Sequence, residues 1–287
     1  MEILGYIAAM LIGLSLGLIG GGGSILTVPV LVYLIGLNPV ISTAYSLFIV
    51  GLTSLVGSWK FYKKGLVSLK TAVVFGLPSI VAVYITRRYI VPAIPDNLFT
   101  VGDLVVTKGV LLMLLFAGLM VFASISMIKK KKEASAEPVD VVDENIDTEL
   151  DVEHIDKTEI HPKPKFNYDG ILGEGLVVGT LTGLVGAGGG FLIIPALVLF
   201  SKLDMKMAVG TSLLIIAVKS LFGFIGDIFN YEIDWMFLAI FSAISISGIF
   251  IGSFLSTKIH ADKLKTSFGW FVLVMGVYII VKEIFFA

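Results

Sequence analysis

The chain has 287 residues, of which 56% are hydrophobic and only 15% charged, with a formal net charge of −1 and a mean hydropathy of +0.97. A soluble core of this length cannot hide so much apolar surface, so most of the chain faces lipid or other spanning helices. There is no cysteine, and two of the three histidines, His154 and His161, fall in one acidic stretch. That sets aside disulfides, haem, iron–sulfur, zinc-thiolate and cysteine-nucleophile chemistry, and no cofactor is expected. A pI near 6.3 without a recurring basic face sets aside nucleic acid.

In chain order, apolar stretches occupy about 3–20, 24–36, 40–59, 71–91, 104–128, 170–186, 190–201, 206–229, 235–257 and 266–286. The first lacks a basic n-region and leads into further spans, so it reads as a spanning helix rather than a cleaved signal. Most stretches reach the roughly 20 residues that a spanning helix requires. Two do not: 24–36 and 190–201 are long enough for only about 18–20 Å of helix, and each directly follows a glycine run. Between them lies 129–167, which holds half of the acidic residues, few aromatics and flanking prolines. It reads as a disordered linker. The domain reading is a first transmembrane repeat at 1–128, this linker, and a second repeat at 168–287.

Adding 166 to a position in the first half gives its counterpart in the second. Gly17 maps to Gly183, Pro29 to Pro195, Ser46 to Ser212 and Gly57 to Gly223. Between 17–57 and 183–223 no gap is needed, and more than a third of the pairs are identical. Corresponding loops carry opposite charge bias. Lys60, Lys63, Lys64 and Lys70 follow the long span of the first copy, whereas Asp227, Glu232 and Asp234 follow that of the second. Lys202 and Lys206 precede the second copy's span, where the first copy is uncharged. Opposite bias in matching loops predicts inverted repeats. Inversion requires an odd number of crossings per copy, met if each glycine run is a hairpin. The expected fold is therefore an all-α integral membrane protein of two inverted repeats, each with four long transmembrane helices plus one short re-entrant helix after a glycine-rich turn. Thirteen basic residues then share the cytoplasmic side with the linker, and both termini lie outside with Arg87, Arg88, Lys108 and Lys282. Arg87 and Arg88 fit that scheme badly.

Three features could carry chemistry. The first is Gly20-Gly21-Gly22-Gly23-Ser24 with Pro29, matched by Gly186-Ala187-Gly188-Gly189-Gly190 with Pro195. Glycine lets a helix break, and a break at membrane depth is tolerated only where protein or a watery cavity meets it. The short helix that follows offers N–H groups and a positive dipole end to an anion. Close packing through small residues is the bland alternative. The second feature is the hydroxyl set Tyr45, Ser46, Thr211 and Ser212, which could bind oxyanion oxygens or a coupling ion, or simply bond back to helix carbonyls. The third is Lys219, fourteenth in a span of about 24 and so near mid-bilayer. It is too deep to snorkel comfortably, and its first-copy counterpart is Thr53. It would serve an anionic substrate as counter-charge or carry a proton, or else pair structurally with Glu174 or a carbonyl. Asp227 stands two turns away, about 12 Å along the same helix. Gly22, Gly23, Ser24, Tyr45, Ser46, Gly188, Gly189, Gly190, Thr211, Ser212 and Lys219 make the candidate substrate site.

GLIGGGGSILTVPVL at 17–31, GLVGAGGGFLIIPAL at 183–197, the TAYS/VGTS pair and the duplicated layout resemble the sulfite exporter TauE/SafE family. The resemblance covers nearly the whole chain except the acidic linker, and Ala187 departs from the glycine pattern. It implies a multi-pass protein of the cell (inner) membrane. That protein would move small, often sulfur-containing anions such as sulfite, sulfonates or sulfoacetate, coupled to a proton or sodium ion rather than ATP. No Walker A motif is present. The family leaves substrate, direction and oligomeric state open. Rival readings are a proton- or cation-coupled small-carboxylate transporter, an anion channel, and a membrane-embedded enzyme. The enzyme is disfavoured because the spans hold almost no His, Cys, Asp or Glu.

Overall fold

The computed structural model describes residues 2–101, 104–128, 168–199, 201–255 and 261–285. The proposed linker at 129–167 lies outside the described residues. Among the described residues, ten helices follow the duplicated plan. The first half has α1 (Glu2–Ile19), α2 (Gly23–Leu34), α3 (Pro39–Lys63), α4 (Leu69–Ala93) and α5 (Lys108–Ile128). The second has α6 (Tyr168–Val185), α7 (Gly190–Leu199), α8 (Met205–Ile228), α9 (Trp235–Leu255) and α10 (Ala261–Phe285). Six helices (α3, α4, α5, α8, α9, α10) are long and apolar enough to cross a membrane. α1 and α6 carry shorter apolar stretches, Leu4–Leu18 and Gly170–Val185, because each stops at its glycine run. The fifth stretch starts later than its hydropathy indicates. Leu104–Thr107, rich in β-branched residues, forms β2 and pairs antiparallel with β1 (Asn97–Val101) ahead of α5.

Helix starts obey local chemistry and repeat between halves. The Asn38 side chain accepts from the Val40 N–H, with Pro39 at the first helical position, and Asp204 accepts from Met207. Ser68 and Asp234 cap α4 and α9 by the same device. In α4, Pro92 cannot donate to the Arg88 carbonyl. The helix widens into a π turn at Thr86–Ile90, and Asn230 Nδ2 reaches that carbonyl at 3.5 Å.

The packing exchanges under the 166-residue offset. A Cβ on Gly13 would strike the Ser245 carbonyl, and one on Gly179 would strike the Ser79 carbonyl. Gly17 abuts Ile249 as Gly183 abuts Val83, and Gly57 meets Leu213 as Gly223 meets Leu47. These are equivalent contacts, so a pseudo-two-fold axis relates the halves. The equivalent helices α3 and α8 run antiparallel across it: Leu47 lies by Gly223, Gly51 by Leu221 and Gly57 by Leu213. α5 and α10 do likewise, with Gly269 against Met127 and Ile128, and Gly276 against Met120 and Ala117. One end of the bundle therefore holds Lys60, Lys63, Lys64 and Lys70 together with Lys202 and Lys206, since Gly210 early in α8 packs on Phe61 and Leu66. α5 ends and α6 begins at that same end.

Each glycine run reverses the chain. α2 doubles back on α1, so Gly23 lies on Ser15 and Leu16 while Ile35 reaches Gly5. In the second half Gly189 folds onto Thr182. The two hairpins meet tip to tip at the middle of the α3–α8 pair, where Val50 and Ile216 press on Gly188.

Candidate functional site

The tips are made by backbone that only glycine adopts cheaply. Gly20 has φ 72°, and Gly186, Gly188 and Gly189 have φ 71°, 64° and 79°. Gly20–Leu26, which includes Gly22, winds as a tight 3₁₀ segment that forms the start of α2. The second tip is irregular until α7 begins at Gly190. Gly21 and Gly190 touch backbone to backbone, closer than any side chain permits. Ser24, fully buried, places its hydroxyl 2.8 Å from the Gly21 carbonyl and 2.5 Å from that of Ala187, tying one tip to the other.

Lys219 arrives at the second tip from mid-α8. It is 1% exposed, and its Nζ donates to Thr182 Oγ1 at 2.6 Å beside Gly189. Thr182 in turn bonds back to the Val178 carbonyl. No carboxylate pairs with Lys219 among the described residues: Asp227 is taken by Arg87, and Glu174 makes no ion pair. The Leu192 and Ile193 amides donate to the Gly189 carbonyl at 3.0 Å, which leaves Gly190 and Phe191 as the α7 amides without an intrahelical acceptor, so a buried ammonium and a helix N-terminus converge on one spot.

The hydroxyl set divides. Ser46 lies one turn from Val50, which touches Gly188. It is buried, and its Oγ has no hydrogen bond among the described residues. Its counterpart Ser212 bonds back to the Val209 carbonyl at 2.8 Å. Tyr45 and Thr211 sit at equivalent positions and do equivalent work elsewhere. The Tyr45 hydroxyl accepts from the Asp234 N–H (2.7 Å) and the Thr211 hydroxyl from the Ser68 N–H (2.9 Å), each fixing the start of another helix. The geometry thus gathers Gly23, Ser24, Ser46, Gly188, Gly189, Gly190 and Lys219 about the crossed tips and places Tyr45 and Thr211 at the helix starts. The tips are packed against each other. The two cavities described lie to one side, around Lys60.

Sequence reasoning did not single out the strongest polar cluster. Arg87 and Asp227 are both fully buried. Arg87 Nε donates to Asp227 Oδ2 at 2.7 Å, and Nη2 lies 2.7 Å from the same oxygen. Nη1 donates to Thr43 Oγ1 (2.9 Å) and the Gly183 carbonyl (3.2 Å). Arg87 is therefore a neutralised interior charge rather than a loop charge, which removes one of the two misfits from the charge bias. Arg88 stacks over Phe229 and donates to Asn230. The signal was present in that misfit: an arginine inside an apolar run demands an acid, and Asp227 ends a similar run.

Known proteins match nearly the whole chain. The family model described as sulfite exporter TauE/SafE matches residues 5–279. The chain belongs to the sulfite exporter TauE/SafE family. A probable membrane transporter protein of Xylella fastidiosa (strain Temecula1) is 31% identical over 94% of this chain and 91% of its own length. The probable membrane transporter protein YunE of Bacillus subtilis is 24% identical over 98% and 99%. A shorter match, 33% identical, covers 36% of this chain and 41% of the probable membrane transporter protein MJ0441 of Methanocaldococcus jannaschii. No solved structure matches. As a TauE/SafE protein the chain is a multi-pass membrane transporter, with its duplicated glycine motif at the centre of the bundle.

Proposed function

We propose that this transporter carries a small sulfur oxyanion, sulfite or an organosulfonate such as sulfoacetate, across the cell membrane by alternating access. The antiparallel, exchange-related halves are read as inverted repeats, and the lysine-rich end as cytoplasmic. The observation that carries the reading is Lys219, a buried ammonium whose one hydrogen bond among the described residues goes to a neutral hydroxyl at a helix break. A lysine held without a carboxylate at this depth costs a few kcal/mol, and a visiting anion supplies the missing charge. The Gly190 and Phe191 amides at the start of α7 and the Ser46 hydroxyl add donors. A site made of one cation and several weak donors releases as well as it binds. A coupling proton or sodium ion completes the cycle.

The test is flux in proteoliposomes under proton and sodium gradients, with sulfite, sulfate, thiosulfate, sulfoacetate, acetate and lactate as solutes. The expected result is gradient-driven flux of sulfite or sulfoacetate that Lys219→Ala lowers at least about tenfold while membrane insertion is unchanged. Flux confined to acetate and lactate, or an unaffected Lys219→Ala variant, overturns the reading.

A further inference from the structure

The pseudo-two-fold axis relates two clefts whose contents differ. One is filled. Between α4, α6, α8 and α3, the side chain of Arg87 lies against Asp227, Thr43, Gly183 and Gly226, all buried. Subtracting or adding 166 turns this cluster into Ser253, Phe61, Val209, Gly17 and Lys60. There the guanidinium is replaced by a serine hydroxyl, and a cavity of about 20 Å³ remains, lined by Gly17, Gly57, Lys60, Phe61 and Ser253 among others. That is room for about one water. Val56, Lys60 and Phe250 also line an open groove of about 1000 Å³ that carries Trp59 and Lys63. Lys60 thus stands where the groove narrows into the cavity. Its Nζ donates to Ser253 Oγ at 2.8 Å, and it makes no ion pair among the described residues. On the filled side the place of the groove is taken by Phe48, Phe224 and Trp235, whose rings meet edge-to-face or tilted at 4.9–6.2 Å.

Because α3 and α8 are antiparallel, the clefts open at opposite ends of the bundle. Lys60 and Thr43 are 17 residues apart on α3, about 25 Å of helix, close to the roughly 30 Å of a hydrocarbon core. Each cleft runs to the tip of one hairpin: Leu16 and Gly17 at α1, Gly183 at α6. The crossed tips lie between them.

We propose that the Lys60–Ser253 cleft is the open entrance for the anion, with Lys60 as its capture site, and that the Arg87–Asp227 pair bolts the symmetry-related entrance at the other end. The proposal rests on the transport reading for its anion, but its geometry is testable without any substrate. Opening the far entrance requires Arg87 to leave Asp227, and the near cleft then closes as the halves exchange packing. The Lys60 ammonium at the neck, with Lys63 in the groove beside it, attracts anions electrostatically. The ligand chemistry, an oxyanion, is shared by free solutes and phospholipid headgroups, and the experiment separates them.

The chain lacks cysteine, so single cysteines report accessibility directly. Ser253→Cys marks the open cleft, and Thr86→Cys, in the turn that carries Arg87, marks the bolted one. Full-length protein in phosphatidylcholine vesicles is treated from either side with methanethiosulfonate reagents bearing a sulfonate or a trimethylammonium group. Ser253→Cys is expected to react from one face and Thr86→Cys to react at least about tenfold more slowly. Lys60→Gln should slow the sulfonate reagent at Ser253→Cys several-fold and leave the trimethylammonium reagent unslowed. Replacing both members of the buried pair, Arg87→Leu with Asp227→Leu, avoids stranding one charge; it should raise Thr86→Cys reactivity about tenfold from the opposite face. Charge exchange, Arg87→Asp with Asp227→Arg, should keep it low. Four results overturn the proposal: reaction of both cysteines from the same face, a silent Thr86→Cys in a normally inserted Leu/Leu variant, equal slowing of both reagents by Lys60→Gln, or Lys60 dependence only when phosphatidylglycerol is added. If the cysteines behave as expected yet no sulfur oxyanion is carried, the entrances stand and only the substrate reading fails.

Discussion

The two glycine tips began as one sequence and now differ. The first has a single positive-φ residue, Gly20, followed by a regular 3₁₀ turn, and Ser24 spends its hydroxyl on the carbonyls of both tips. The second has three positive-φ glycines and no serine, with Gly190 in the place of Ser24. It alone has a cation at hand. Lys219 and Thr182 stand where the first half has Thr53 and Leu16, and the Thr53 hydroxyl merely bonds back to the Ile49 carbonyl. Duplication supplied a symmetric frame of crossed hairpins. Divergence then made the first tip a clasp and left the second with the charge. On the proposed reading, the binding asymmetry lies in the second half.

The comparison breaks most severely at the glycines. Gly190→Leu places a side chain into the Gly21 backbone, and Gly188→Leu adds a left-handed conformation to a clash with Val50. Overpacking and a positive φ each cost about 1–3 kcal/mol, and backbone cannot retreat as a side chain does. Both variants, with Gly22→Leu, are expected to lose transport entirely. A radiolabelled-sulfite assay normalised to membrane-inserted protein checks this. Full activity in all three would reduce the crossing to simple packing. Next in size is the divergence itself. Lys219→Met keeps the volume and removes the charge, so it should insert normally and lower flux at least about tenfold, whereas Thr53→Val at the equivalent first-half position should leave flux unchanged. Equal effects at both positions would mean that the halves share the site. Smaller still is the clasp. Ser24→Ala leaves the Ala187 carbonyl without that buried donor, an expected loss of about 1–3 kcal/mol in denaturant unfolding, with transport retained.

Much of this arrangement was legible beforehand. Glycine, proline and serine kept in register across 166 residues pointed to a duplication, and opposite loop charges agree with the antiparallel run of α3 and α8. Short apolar runs after glycine betrayed the hairpins. The legible features are all local or periodic. What escaped depends on pairing across the axis. Nothing at Arg87 says that its partner is 140 residues on, and the charge count treated both residues as loop charges. Nothing near Lys219 points to Thr182 rather than Glu174, because a threonine in an apolar helix is unremarkable until a cation meets it. Nor does hydropathy separate β2 from the start of a span, since valine serves both. The hydroxyl motif was half legible: symmetry marked Tyr45 and Thr211 as important, but symmetry alone does not distinguish a ligand from a cap.

That distinction gives the smallest expected effect. Tyr45 and Thr211 each accept one backbone N–H at the start of a helix, α9 and α4 respectively, and neither is aimed at the crossed tips. Tyr45→Phe keeps the ring stacked on Phe237 at 5.8 Å and deletes only the acceptor; Thr211→Val does the same on the other side. Each should cost about 0.5–1.5 kcal/mol, the net worth of one hydrogen bond, read as a lowered midpoint in thermal unfolding. The two losses should add, because the sites lie at opposite ends of the bundle and share no partner. The apparent KM for the anion should not move in either variant. A raised KM with unchanged unfolding would bring these hydroxyls back to the substrate and mean that the hairpins open far enough to expose them, which would enlarge the binding site along α3 and α8 beyond the glycine crossing.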